Sequence, residues 1–128
     1  MNAAQRFLAA SAGRDGSAAA AELAPDVVML NPATDDPVVG REAVADALRA
    51  VEAACDEFRH THLLTGESTD QTPLYGLVFE ARIGEATLRG VDLVELSVQD
   101  LISTFTVMAR PMASLMALGA RMSRDAQT

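Results

Sequence analysis

Apolar residues recur at two different spacings along this chain, and the spacing changes near residue 57. Before that point they come three or four residues apart, as on one face of a helix. In residues 41–55 this set is Val44, Leu48, Val51 and Cys55. After that point apolar and polar residues alternate, which is the pattern of strands with one buried face. The chain is therefore predicted to place helices first and an antiparallel sheet afterwards.

Local signals set the bounds of these elements. Gly13 ends a first helix, Asp15 caps a second one, and Pro25 stops it. The predicted helices cover residues 3–12, 16–23 and 41–55, the predicted strands cover 27–31, 58–65, 74–83, 87–96 and 101–110, and a tail or helix covers 112–122. No linker or repeat interrupts this order, so we expect one α+β domain over residues 1–128, with helices packed on one sheet face.

Both faces of the predicted sheet carry apolar residues, because successive side chains of a strand point in opposite directions. One face of residues 74–83 holds Tyr75, Leu77, Phe79 and Ala81, and the opposite face holds Val78, Glu80 and Arg82. The helices are expected to pack against one of these two faces. Large apolar groups on a second face more often meet a partner than water, so we expect a homodimer formed through the sheet.

Composition narrows the functions that this domain can have. The chain has 128 residues and a net charge of −8, and all 10 of its basic residues are arginines. An acidic surface repels phosphate backbones and anionic lipids, and no apolar run approaches the roughly 20 residues of a membrane helix. We expect neither a nucleic acid nor a membrane as partner. A single cysteine and the lack of a secretory signal favour the cytoplasm, and many alanines without lysine favour a bacterial origin.

Asp92 is the carboxyl group that we nominate for chemistry. It lies between Val91 and Leu93, in a strand that we expect to be buried on both faces. Burial raises a carboxyl pKa, which suits a general acid or a neutral hydrogen-bond donor. A structural pairing with an arginine explains the same pattern, and the sequence leaves both interpretations open.

The loop before Asp92 decides which side chains meet it. A three-residue loop, 83–85, places Glu80, Arg82 and Asp92 on one face. A two-residue loop, 84–85, turns Asp92 to the opposite face. On the first alternative, Arg82 either binds a ligand oxygen or neutralises a neighbouring carboxylate.

Two histidines alternate with polar residues in one predicted strand. His60 and His62 are expected to point the same way as Phe58. A third ligand at metal-binding spacing is not evident, so we expect no metal and no other cofactor. A hydrogen bond to a ligand, proton transfer and a structural role remain open for them. The sequence has no phosphate-binding glycine loop, nucleophile elbow or CxxC motif.

Three stretches, in this order of elements, resemble the nuclear transport factor 2-like superfamily, and within it the SnoaL-like and ketosteroid-isomerase-like domains. They are Asp26-Val-Val-Met-Leu-Asn31-Pro32 followed by Gly40-Arg41-Glu42, then Gly90-Val-Asp92-Leu-Val-Glu95-Leu, and Ile102-Ser-Thr-Phe-Thr-Val-Met-Ala-Arg110-Pro111. The resemblance covers almost the whole chain and implies a cone-shaped, cystatin-like roll, with a curved, mostly antiparallel sheet wrapped around N-terminal helices. It also favours the three-residue loop and implies that Phe105 and Val107 line the cavity.

Few catalytic residues of the known enzymes with this fold are kept at the matching positions of this chain. The base of ketosteroid isomerase falls on Asn31 and its oxyanion-hole tyrosine on Phe7, whereas its oxyanion-hole aspartic acid is kept as Asp92. The arginine of limonene epoxide hydrolase falls on Arg82, but neither of its aspartates is kept. An amide takes up no proton at neutral pH and Phe7 offers no donor, so ketosteroid isomerisation by the known mechanism is not expected. Without either carboxylate there is no base to activate water, so epoxide hydrolysis is not expected either.

The resemblance implies a hydrophobic small molecule as ligand in the cavity of the cone. Asp92 and Arg82 are the predicted catalytic residues of an isomerase- or cyclase-type acid–base enzyme. The predicted ligand-binding residues are Phe7, Asn31, His60, His62, Val78, Glu80, Phe105 and Val107. The alternative is a dimer that binds a ligand or a protein partner without catalysis.

Overall fold

The computed structural model describes residues 1–126, which fold into four helices and one six-stranded mixed sheet. The helices are α1 (Ala3–Ala12), α2 (Gly16–Ala21), α3 (Arg41–Ala54) and α4 (Met112–Ala126). The strands are β1 (Leu23–Leu30), β2 (Val38–Val39), β3 (Glu57–Glu67), β4 (Pro73–Ile83), β5 (Ala86–Leu96) and β6 (Ile102–Arg110). No helix within this part of the chain is both long and apolar enough to cross a membrane.

The strands form one sheet in the order β2-β1-β6-β5-β4-β3. Strands β3 to β6 form an antiparallel meander, whereas β1 runs parallel to β6 and β2 pairs antiparallel with β1. Helices α1, α3 and α4 contact this sheet, and the buried apolar residues lie between the helices and the sheet. The predicted fold class, an α+β domain with a curved sheet around N-terminal helices, is confirmed.

Side-chain caps fix the starts of the two N-terminal helices. The Asn2 side chain accepts a hydrogen bond from the Gln5 amide at 2.9 Å, and the Gln5 side chain accepts one from the Asn2 amide at 2.9 Å. The Asp15 carboxylate accepts a hydrogen bond from the Ala18 amide at 3.0 Å. These caps satisfy free amides at the starts of α1 and α2, and Phe7 of α1 is buried.

The region between α2 and α3 differs from the sequence-based prediction. Helix α2 was expected to reach residue 23, but it ends at Ala21, and Leu23 opens β1. Leu23 is fully buried and pairs with Ile102 of β6. Its burial in the sheet outweighs the helical preference of the preceding alanines, because tertiary contacts routinely override intrinsic propensity. The predicted loop over residues 31–39 contains the short edge strand β2.

The hairpin between β4 and β5 corrects the prediction that matters most for the site. Ile83 pairs with Ala86, so the loop is the two residues 84–85 rather than the favoured three. Gly84 stands first in this loop with a φ of 60°, as in a type II′ turn, which takes glycine at that position. A change of one loop residue exchanges the two faces of the following strand. Asp92 therefore lies on the face opposite Arg82.

A β-bulge in β3 separates the two histidines. His60 pairs with Phe79 and His62 pairs with Val78, so one residue of β3 between them has no partner in β4. A bulge reverses the alternation of side chains beyond it. His60 points toward the helices, whereas His62 is exposed and its Nδ1 lies 2.9 Å from the Thr61 hydroxyl. The prediction that both histidines point the same way is wrong.

Candidate functional site

A cavity of about 370 Å³ lies between the inner face of the sheet and helices α1, α3 and α4. All 4 phenylalanines of the chain line it: Phe7, Phe58, Phe79 and Phe105. The aliphatic part of its wall includes Met29, Val38, Leu48, Val51, Leu88, Val107, Leu115, Leu118 and Met122. A concave wall of this kind suits a hydrophobic small molecule that a few polar groups orient.

The aromatic rings stand in two pairs. Phe58 and Phe79 stack with their centroids 5.2 Å apart, and Phe7 meets Phe105 edge-on at 5.6 Å. The His60 ring contacts both pairs, edge-on to Phe58 at 5.3 Å and to Phe7 at 6.5 Å. Since aromatic contacts restrict ring orientation, these neighbours hold the imidazole in one position on the cavity wall.

Asp92 and His60 form the polar centre of this wall. The Nε2 atom of His60 lies 3.1 Å from Oδ2 of Asp92, and the two side chains are 11% and 7% exposed. Asp92 comes from β5 and His60 from β3, so β4 between them sets their separation. Across residues 1–126, the Asp92 carboxyl group has no other hydrogen-bond partner. Its Oδ1 atom is therefore available to a ligand.

Burial governs the electrostatics of Asp92. Removal from water raises the pKa of its carboxyl group above the ordinary value, and the hydrogen bond and charge of His60 oppose that rise. No arginine lines the cavity within the described residues, and the other acidic side chain on its wall is Glu52. Asp92 therefore binds a proton more readily than an exposed aspartate does.

Asn31 lines the same cavity, in the loop after β1. Its Oδ1 atom accepts hydrogen bonds from the amides of Ala33 at 2.9 Å and Thr34 at 3.1 Å. These bonds fix the side chain in a local turn. Its Nδ2 group has no hydrogen-bond acceptor in the described part of the chain, so this donor is available to a ligand.

Three predicted site residues lie on the outer face of the sheet instead. The Arg82 side chain is 47% exposed, and its guanidinium lies 3.8 Å from Asp56 and 3.5 Å from Glu57. Glu80 lies 3.6 Å from Arg89, and Val78 pairs with the exposed His62. The prediction that Arg82, Glu80 and Val78 face the cavity with Asp92 is wrong, because it depended on the three-residue hairpin loop.

Six of the seven other predicted site residues do meet in the cavity. Phe7, Asn31, His60, Asp92, Phe105 and Val107 all line it, although their contact with a ligand stays a prediction. His62 does not line it. Phe79 and the lining residues of α4 were not predicted as site residues. The same hairpin error assigned Phe79 to the face opposite Asp92. The sequence signal for this aromatic wall was that Phe58 shares a strand face with His60, and that Phe79 shares one with Leu77.

No three histidine, cysteine, aspartate or glutamate side chains among residues 1–126 are grouped closely enough to hold a metal ion.

The family model of the SnoaL-like domain matches residues 4–108. The chain belongs to the SnoaL-like family. That family is part of the nuclear transport factor 2-like superfamily, so the resemblance drawn from the sequence is confirmed. No curated protein sequence matches this SnoaL-like domain.

Solved structures show what this SnoaL-like domain is similar to. A steroid delta-isomerase from Pseudomonas aeruginosa is 32% identical with a TM-score of 0.85, over 98% of this chain and 89% of that one. An uncharacterised protein with a cystatin-like fold from Silicibacter pomeroyi DSS-3 is 32% identical with a TM-score of 0.84, over 98% and 86%. Rv0760c from Mycobacterium tuberculosis, solved with estradiol-17beta-hemisuccinate, is 22% identical with a TM-score of 0.65, over 82% and 88%. The last likeness concerns the fold alone.

Proposed function

We propose that this SnoaL-like domain binds a neutral, apolar carbonyl compound in its cavity and exchanges a proton with it through Asp92. The observation that carries the proposal is the carboxyl group of Asp92, whose side chain is only 7% exposed, on the wall of an apolar cavity with an imidazole as its hydrogen-bond partner. A raised pKa brings a carboxyl group closer to neutral pH, where it serves both as acid and as base.

The proton transfer uses both oxygens of Asp92. Oδ2 is held by His60, so Oδ1 takes a proton from the carbon beside the ligand carbonyl and returns it to the same or another carbon. Negative charge then develops on the carbonyl oxygen, and the Nδ2 group of Asn31 is the amide donor on the cavity wall that meets it. Return to another carbon is an isomerisation, and attack by the new carbon nucleophile on a second carbonyl closes a ring.

The charges on the cavity wall favour a neutral ligand. Asp92 and Glu52 are acidic, and no arginine of residues 1–126 lines the cavity. A ligand carboxylate would therefore meet like charge without a compensating cation, which costs free energy in an apolar site. The 32% identity with a steroid delta-isomerase supports a polycyclic ketone as the kind of ligand.

Thermal-shift assays with matched compounds test this function. A steroid ketone, a terpenoid ketone and 2-tetralone, a small bicyclic ketone, are each compared with 2-naphthoate, an anion of similar size. We expect a neutral ketone at about ten times its Kd to stabilise the wild type by about 1.4 kcal/mol, and 2-naphthoate to have no effect. Asp92→Asn keeps the cavity shape but removes the acid, so it should abolish exchange of the ketone's α-hydrogens with deuterium from D₂O.

Two outcomes would redirect the proposal. If no neutral ketone raises the melting temperature of the wild type, the cavity does not bind this class of ligand. If a ketone binds to both proteins and neither exchanges its α-hydrogens nor isomerises a β,γ-unsaturated ketone, the domain binds its ligand without acid–base chemistry. The amide of Asn31, where ketosteroid isomerase has its base, is the observation that favours this second function.

We also propose that two copies of the domain pair through the outer face of the sheet. Apolar side chains cross all of its long strands there: Leu30, Leu64, Val78, Val91, Leu93 and Met108. Leu64 is 57% exposed and Met108 is 51% exposed. A patch of this kind on a sheet is typical of a protein interface, and a two-fold axis allows the same patch to serve both copies.

A further inference from the structure

His60 lies on the boundary between the apolar cavity and a second, more polar groove. This groove, of about 500 Å³, runs between the C-terminal end of α1 and strand β3, and Ser11 and Arg14 lie along it. Three cavity-lining residues also line the groove, namely Glu52, Phe58 and His60. Within residues 1–126, His60 is the one of these three that hydrogen bonds to Asp92. It therefore connects the buried carboxyl group to the groove.

A ligand in the cavity leaves Asp92 no other polar route to water. Its nearest neighbours across the sheet are Leu77 and Val107, which pair with it on either side. An apolar ligand displaces water from the cavity itself. His60 is then the one polar side chain of the described residues that remains in contact with the carboxyl group.

The two nitrogens of His60 have different surroundings. Nε2 lies 3.1 Å from Oδ2 of Asp92, whereas Nδ1 has no hydrogen-bond partner in the described part of the chain. No fully buried side-chain nitrogen of residues 1–126 lacks a partner, so Nδ1 is not enclosed by protein. The groove that His60 lines offers it a path to water when a ligand fills the cavity. An imidazole with one nitrogen on an acid and the other on water transfers protons without moving far.

We propose that His60 relays protons between Asp92 and water in the groove. The proton that Oδ1 takes from the ligand comes to face His60 when the carboxyl group turns about its Cβ–Cγ bond. It then passes to Nε2 while the proton on Nδ1 leaves to water, and the reverse steps restore the acid with a proton from water. One proton enters the ring as another leaves, so its charge is unchanged and water is the only co-reactant. The relay rests on the proposed function, because it serves the proton that Asp92 takes from the ligand.

Deuterium exchange of 2-tetralone tests the relay. In D₂O, a hydrogen removed from C1 of the bound ketone returns unchanged unless Asp92 first exchanges its proton with solvent. We expect the wild type to incorporate deuterium at C1, measured by ¹H NMR, and His60→Gln to bind 2-tetralone with similar affinity but exchange it roughly tenfold or more slowly. In His60→Gly, added imidazole should restore the rate in proportion to its concentration, because the groove admits it.

His62→Gln is the matched control, since this second histidine lines the groove but not the cavity and has no contact with Asp92. We expect it to exchange the ketone at the wild-type rate. Equal rates in the wild type and His60→Gln, or a His60→Gly rate that imidazole leaves unchanged, would overturn the relay while the chemistry of Asp92 stands. No exchange by the wild type would overturn the relay. No isomerisation of a β,γ-unsaturated ketone either, with Asp92→Asn no different, would overturn the proposed acid–base function as well.

Discussion

Asp70 and Asp92 have the same side chain, but their surroundings move its pKa in opposite directions. Asp70 is exposed in the β3–β4 turn, where hydrogen bonds from Ser68 and Thr72 lower its pKa to about 2. Asp92 is buried in the cavity wall, where loss of water raises its pKa despite the hydrogen bond from His60. Only the second arrangement prepares a carboxyl group to accept and donate protons near neutral pH.

The raised pKa of Asp92 predicts a pH-dependent difference in stability between the wild type and Asp92→Asn. The folded protein binds this proton more tightly than the unfolded chain does. The resulting stabilisation is complete below the unfolded pKa of about 3.9 and is lost as the pH rises through the folded pKa. From pH 4 upward, the wild type should lose free energy of unfolding relative to Asp92→Asn, by about 1.4 kcal/mol for each unit of pKa rise.

Urea unfolding of both proteins between pH 4 and pH 8 measures this difference. The exposed aspartates titrate equally in the two proteins, so their contributions cancel. A difference that stays constant across the range would show that burial does not perturb Asp92. The sequence analysis predicted the burial and the direction of this shift, but it assigned Asp92 the wrong neighbour.

At the scale of elements, one-residue features of the strands decide which side chains enter the cavity. The two-residue loop 84–85 turns Asp92 inward, and the bulge in β3 keeps His60 inward while it turns His62 outward. A strand pattern has a period of two, so each such feature exchanges the two faces beyond it. The sequence therefore predicted the strands but not the composition of the cavity wall.

Gly90 of β5 lies where the sheet leaves no room for a side chain. A Cβ atom there would stand 2.2 Å from the Met108 carbonyl oxygen and 2.5 Å from Cζ of Phe79. Because one of these atoms is backbone, Gly90→Ala should lower the free energy of unfolding by about 1–3 kcal/mol and push the Phe79 ring into the cavity. Urea unfolding and 2-tetralone binding measure the two effects.

Gly119→Ala is the control for the effect on stability only, because Gly119 lines the cavity. Gly119 lies in helix α4, and a Cβ atom there meets nothing within 4 Å. Alanine is the better helix former by up to about 1 kcal/mol, so this variant should be as stable as the wild type or more stable. If Gly90→Ala behaved like Gly119→Ala, the close contact across β4, β5 and β6 would not hold in solution.

At the scale of the whole molecule, the inner face of the sheet surrounds the cavity and the outer face presents the apolar patch described above. Light scattering after size-exclusion chromatography tests the proposed dimer. We expect the wild type to be a dimer and Met108→Lys to be a monomer, because a charge within a buried apolar interface is costly.

Met116→Lys provides the matched control for the dimer. Met116 is 68% exposed on α4, away from the outer face of the sheet, so its replacement should leave the dimer intact. A wild type that runs as a monomer at micromolar concentration, or a Met108→Lys variant that stays dimeric, would contradict pairing through this face.

The sequence by itself determined the α+β class, the superfamily and the burial of Asp92, because these depend on local periodicity, on turn residues and on the order of motifs. Only the tertiary structure decided that Asp92 faces His60 and the four phenylalanines rather than Arg82. Alternation fixes which residues of one strand share a face, but the face itself depends on loop length and bulges between strands. Loop length and bulges are in turn settled by the burial of Leu77 and Phe79 beneath the helices, which is a property of the assembled sheet.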